Sequence, residues 1–107
     1  MITIRIKRGD FLVVAVGDSM IEAGIKDADY CVIRPDVYVD NGEIALVVVG
    51  DGSTIKRFYD DGEEGFRLVP CNPAHHEQHY PPDAELSVAG KFIKVLELND
   101  DVHFDSI

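Results

Sequence analysis

Glu43-Ile44-Ala45-Leu46-Val47-Val48-Val49-Gly50-Asp51-Gly52-Ser53-Thr54-Ile55-Lys56-Arg57-Phe58-Tyr59 reads as two strands folded back on each other across a tight turn. The first half is unbroken, apolar and rich in β-branched residues, the composition of a buried strand. Asp51-Gly52 is a hairpin-turn pair and places the break between the strands. The second half alternates, with Thr54, Lys56 and Phe58 on one face and Ile55, Arg57 and Tyr59 on the other. One of the two cations, Lys56 or Arg57, should therefore point inward, and the pattern leaves open which.

Working outward, the same reading continues in both directions. Ile2 to Ile6 alternates with period two, Phe11 to Val16 is a continuous apolar run of strand length, and Tyr30 to Ile33 is another. Asp60 to Gly65 is a second turn, followed by the strand Phe66 to Val69. Residues 71–85 hold three prolines and three histidines and read as an irregular loop. Leu86 to Leu98 reads as a long closing strand with a bend at Gly90. Ser19 to Gly24 is the only helical signal, barely one turn. The expected fold is all-β, a partly open, barrel-like domain in which hairpins supply most pairings, with residues 1–107 forming one unit. The closing strand, long and apolar, reads as an exposed edge that invites pairing with a second copy.

Composition narrows the function classes. Hydrophobic residues make up 46% of the chain and charged residues 28%, which suits a globular protein, and the net charge of −10 opposes direct binding to nucleic acid. No apolar run is long enough for a membrane span and the start is not a signal peptide. The basic start (Arg5, Lys7, Arg8) contrasts with an acidic tail, Asn99 to Asp105, which reads as a solvated end. Cys31 and Cys71 do not make a disulfide framework. Both are expected to be reduced, Cys31 as a small apolar residue in a buried strand, and this favours a cytoplasmic setting.

The chemistry concentrates at Val16-Gly17-Asp18-Ser19-Met20. A strongly apolar strand stops at a glycine and a serine follows in the turn, a corner that can expose a hydroxyl and backbone N–H groups together. A serine nucleophile needs a base, and no histidine occurs before His75. A lysine can take that role if burial lowers its pKa, and Lys56 is one of the two cations of the alternating strand.

Gly17-Asp18-Ser19-Met20, Gly24-Ile25-Lys26-Asp27-Ala28-Asp29, Asn41-Gly42-Glu43-Ile44 and Thr54-Ile55-Lys56-Arg57 together resemble, in order and spacing, the LexA/UmuD family, which includes phage repressors of the CI type. The 37-residue separation of Ser19 and Lys56 matches its pattern. Leu68-Val69-Pro70-Cys71-Asn72-Pro73 and Val88-Ala89-Gly90-Lys91-Phe92-Ile93-Lys94-Val95 are similar to its later segments. The resemblance covers roughly residues 15–96. It implies a β fold of the LexA/signal-peptidase type and a serine–lysine peptidase, with Ser19 as nucleophile, Lys56 as base, and the N–H groups of Asp18 and Ser19 as oxyanion donors. It also implies cleavage of the protein's own upstream segment, a homodimer, and activation by RecA filaments on single-stranded DNA.

Three departures accompany the resemblance. Only 18 residues precede Ser19, with no Ala-Gly or Cys-Gly pair among them, so the chain reads as a C-terminal fragment or a short form. Ala28 stands where relatives usually carry glycine, which disfavours a left-handed backbone there. No helix-turn-helix is present. The alternatives are an inert dimerisation module of a repressor and a signal-peptidase relative, the latter disfavoured by the lack of an anchor. His75, His76, His79 and Glu77 lack the spacing of a helical zinc site, Gly50 to Lys56 lacks that of a phosphate loop, and Asp27, Asp29 and Asp36 that of a calcium loop. No metal or cofactor is expected.

Overall fold

A computed structural model describes residues 3–96 and 101–104. The strands in chain order are β1 (Thr3–Ile6), β2 (Phe11–Val14), β3 (Tyr30–Arg34), β4 (Ile44–Val49), β5 (Gly52–Asp60), β6 (Phe66–Val69), β7 (Gln78–Tyr80), β8 (Leu86–Val95) and β9 (Asp101–Phe104). Helical structure among the described residues is confined to two single 3-10 turns, Ile21–Ala23 and Gly62–Glu64. Seven strands form one antiparallel sheet in the order β2-β3-β8-β4-β5-β6-β7, and the sheet does not close on itself. The fold is all-β and partly open, and four of the six pairings in this sheet join strands consecutive in sequence.

β4 is the strand around which the sheet packs. Leu46 faces one apolar cluster, with Ala15, Met20, Ile25, Cys31 and Ile33. Ala45 and Val47 face the other, with Val39, Phe58 and Leu68. Apolar side chains are thus removed from water on both faces, which is why this strand has no polar alternation. Cys31 is completely buried and free, and burial pushes its thiol up to about 11, so it packs as an apolar group.

The β4–β5 turn lies one residue earlier than the sequence suggests. Val49 pairs with Gly52, so Gly50 and Asp51 are the two turn residues, and Gly50 takes the positive φ of 56°. A glycine in the first central position suits the right-handed twist of the flanking strands. The expected loop 71–85 contains a short strand, β7, which pairs with β6 because Tyr80 joins the cluster around Phe58 and Leu68.

The closing strand is not an edge. β8 lies between β3 and β4 and hydrogen-bonds to both, so it cannot present an open ladder to a second copy. Its bend is a shift in register opposite Leu46 and Val47, beside Gly90. A Cβ on Gly90 would lie 2.6 Å from Ile33 Cγ2 and 2.8 Å from the Arg34 carbonyl, so only glycine fits this close crossing. Residues 97 and 98 of the expected strand lie outside the described residues. The tail is also paired in part. Asp101–Phe104 runs parallel to Thr3–Ile6, joining the basic start of the chain to its acidic end.

Candidate active site

Ser19 lies where the first apolar strand gives out. β2 stops at Val14, two residues short of the apolar run, because the backbone of Ala15 turns to a different partner. Its N–H donates to the Asp29 carbonyl (2.9 Å), and its own carbonyl accepts from the Ala28 N–H (2.8 Å). Gly17 then turns the chain at φ 83°, with its N–H donated to Asp27 Oδ1 (2.7 Å). Met20 and Ile25, buried in the first cluster, anchor the far side of the turn. Ser19 is left half-buried between an exposed Asp18 and a buried Met20.

This turn leaves donors free. Gly17 donates to Asp27, and Ile21 donates to the Asp18 carbonyl (3.2 Å). Between them, the N–H groups of Asp18, Ser19 and Met20 meet no acceptor among the described residues. A run of unpaired backbone donors beside a hydroxyl is a site for developing negative charge.

Lys56 arrives from a regular element. It sits mid-strand in β5, opposite the fully buried Ala45. Its Nζ donates to Thr54 Oγ1 (2.6 Å), two residues away on the same face. Burial lowers its pKa from the ordinary 10.5, because desolvation penalises the ammonium. Arg57, on the opposite face, instead donates to the Gly42 carbonyl (2.7 Å). Of the two cations, Lys56 is the one that lines the cavities beside Ser19.

Two adjoining cavities contain both residues. One, of about 170 Å³, is walled by residues 13–17 on one side and 53–56 on the other, with Met20, Ile25 and Leu46 at its apolar base. The second, of about 470 Å³, is wider and runs past Ser19 and Lys56 to His75, His76, Gln78 and Tyr80. Among the described residues the hydrogen bond of the Lys56 amine goes to Thr54 rather than directly to Ser19. A neutral amine so held donates one N–H to Thr54 and keeps its lone pair for another proton.

The sequence reading missed a clasp on the Ser19 turn. The Cys71 N–H donates to the Ser19 carbonyl (2.8 Å), and the Cys71 carbonyl accepts from the Glu22 N–H (2.9 Å). Asn72 Nδ2 donates to the Asp18 carbonyl (3.0 Å), while its Oδ1 accepts from the Ala74 N–H. His75 Nε2 meets Asp18 Oδ1 at 2.7 Å. Asn72 and His75 lie 54 and 57 residues from Asp18, and local pattern carries no signal of this clasp.

The other polar clusters separate. His75 is bonded to Asp18 and His79 to Glu77, so the histidines do not converge. Asp27 and Asp29 each bond a nearby backbone N–H. Among the described residues no group of three or more His, Cys, Asp or Glu could hold a metal ion. Ala28 corrects an expectation. It does adopt the left-handed region, at φ 69°, because its N–H is committed to Ala15 across the loop.

Known proteins resemble this one over most of its length. The model of the family described as Peptidase S24-like matches residues 1–93. A LexA repressor of Deinococcus radiodurans is 39% identical over 90 residues, covering 82% of this chain and 42% of that protein. A LexA repressor of Acetivibrio thermocellus is 42% identical over 89 residues, covering 79% and 38%. One of Geobacillus kaustophilus is 40% identical over 91 residues, covering 84% and 42%. The chain spans about two fifths of the length of these relatives.

Proposed function

Because the chain belongs to the Peptidase S24-like family, we propose that it is the serine–lysine endopeptidase domain of a LexA-type repressor or UmuD-like regulator. The observation that supports this best is the sharing of two adjoining cavities by Ser19 and a lysine whose amine burial drives towards neutrality. Neutral Lys56 accepts the Ser19 hydroxyl proton as Oγ attacks a peptide carbonyl. The Asp18 and Ser19 N–H groups stabilise the oxyanion. Lys56 then gives its proton to the leaving amine, and water releases the acyl group from Ser19.

The smaller cavity, lined by residues 13–17 and 53–56 over apolar Met20, Ile25 and Leu46, suits a small side chain of an extended substrate strand. The proposed substrate is the protein's own segment upstream of this domain. Cleavage there would part it from a DNA-binding or regulatory region during the response to DNA damage. A homodimer, a cytoplasmic location and RecA filaments as activator belong to the same reading.

The test is mass spectrometry of a supplied peptide carrying an Ala-Gly or Cys-Gly pair. The rate should rise with pH through the lowered pKa of Lys56 and level off below the ordinary 10.5, since only the neutral amine is a base. Ser19→Ala should abolish cleavage, since no acyl group can form on it, and Lys56→Ala should lower it by at least about 10²–10⁴-fold, the range for losing a general base. If Lys56→Ala cuts as well as wild type, the base is misassigned. If wild type cuts at no pH, the chain is an inert dimerisation module.

A further inference from the structure

We propose that His75 is a positioning residue for the nucleophile, acting through Asp18. The inference rests on the reading of Ser19 as nucleophile and adds a residue outside the Ser19–Lys56 pair. The Asp18–Met20 backbone belongs to no strand, so no ladder fixes where its N–H groups point. Contacts from residues 71–75 hold it instead. Cys71 and Asn72 fix the carbonyls of Ser19 and Asp18 from one side. Those bonds restrain the backbone acceptors, and among the described residues the Asp18 side chain bonds His75 alone, at 2.7 Å.

Asp18 is the residue for which this matters. It supplies one of the proposed oxyanion donors, and its carboxylate is a negative charge one residue from the place where negative charge develops. Either the neutral Nε2–H tautomer or the imidazolium of His75 can donate to Oδ1. That bond draws the carboxylate towards the 71–75 loop and sets the rotation of the Asp18 peptide. His75 is itself placed by its N–H, which donates to the Asn72 carbonyl (3.0 Å). Asn72 therefore ties the turn and the histidine to one anchor.

The experiment compares wild type with His75→Ala and His75→Gln on the supplied Ala-Gly or Cys-Gly peptide. It also follows amide hydrogen exchange over residues 17–22. His75→Ala should lower kcat about two- to fivefold with KM unchanged, the rate equivalent of one exposed hydrogen bond. His75→Gln, which keeps a donor, should recover most of the loss. Amides of the turn should exchange about threefold faster in His75→Ala only. Unchanged kcat in His75→Ala, or equal impairment in His75→Gln, overturns the inference while leaving the peptidase reading intact. Should wild type not cut, the peptidase reading fails, and exchange alone decides the clasp: equal turn exchange in wild type and His75→Ala overturns it.

Discussion

Ser19 and Lys56 reach the same cavities by opposite means. Lys56 stands on β5, which is laddered to β4 from Gly52 to Arg57 and to β6 from Arg57 onward, and the sheet itself fixes where the side chain goes. Ser19 stands on a turn with no ladder, held by Asp27, Asp29 and Ala28 on one flank and by Cys71, Asn72 and His75 on the other. The strand trades chemical freedom for rigidity, since around Lys56 its backbone is held in register by the β4 ladder. The turn keeps three N–H groups unspent, and its rigidity comes from residues distant in sequence. Backbone donors left unpaired beside a hydroxyl come with the second kind of support, and a half-buried side chain held in a fixed position comes with the first.

The comparison breaks most visibly at the sheet. Gly90→Ala should destabilise the protein by about 2–3 kcal/mol, because its Cβ would press on fully buried Ile33 and on the Arg34 backbone. Urea denaturation measures it. A loss under about 0.5 kcal/mol would mean that the sheet gives way easily and is not the rigid support described.

Thr54→Val sharpens the comparison at the site, changing one side chain of the strand without touching its ladder. The Lys56 ammonium loses an acceptor in a half-buried place, so its protonated form is disfavoured further. The rise of the pH–rate curve should move to lower pH while the plateau falls about three- to tenfold. A curve moved to higher pH would contradict the role given to Thr54. Stability follows the same sign. The folded chain binds the Lys56 proton less tightly than the unfolded one, so the protein gains stability as pH rises from the lowered value towards 10.5.

The smallest effect is on the turn side. Ala28 holds φ 69° against the steric preference of any residue with a Cβ. Ala28→Gly should stabilise by about 0.5–1 kcal/mol, the strain relieved less the entropy glycine loses on folding. A destabilised variant would show that the Cβ of Ala28 contributes packing beyond its strain.

The strands were readable where one strand's own residues decide them. The apolar run of β4 and the alternation of β5 reflect burial on each face, and burial is written residue by residue. The limits of β2 were not readable, because Val16 is as apolar as Val14 and what ends the strand is the bond from Ala15 to Asp29. The interior position of β8 escaped for a related reason: a long apolar strand looks the same at an edge or between two neighbours, and pairing with β3 and β4 is non-local. At the candidate site, the motifs point to Ser19 and Lys56 as neighbours, and the two share both cavities. Which cation faces the cavity was not legible, and Thr54 and His75 acquire their roles only once the chain has folded. In the sequence His75 stands out only as part of a histidine cluster, whereas its partner in the fold is the Asp18 carboxylate on the Ser19 turn.

The parallel pairing of Thr3–Ile6 with Asp101–Phe104 has a mechanical consequence. Tension applied between the start of β1 and the end of β9 pulls the two strands along their length in opposite directions. All the hydrogen bonds between them then share the load at once, instead of parting one after another as in a hairpin peeled from its open end. Force transmitted through the two ends therefore meets a shear clamp before it reaches the seven-stranded sheet, and the cavity walls carry strain only after that clamp has slipped.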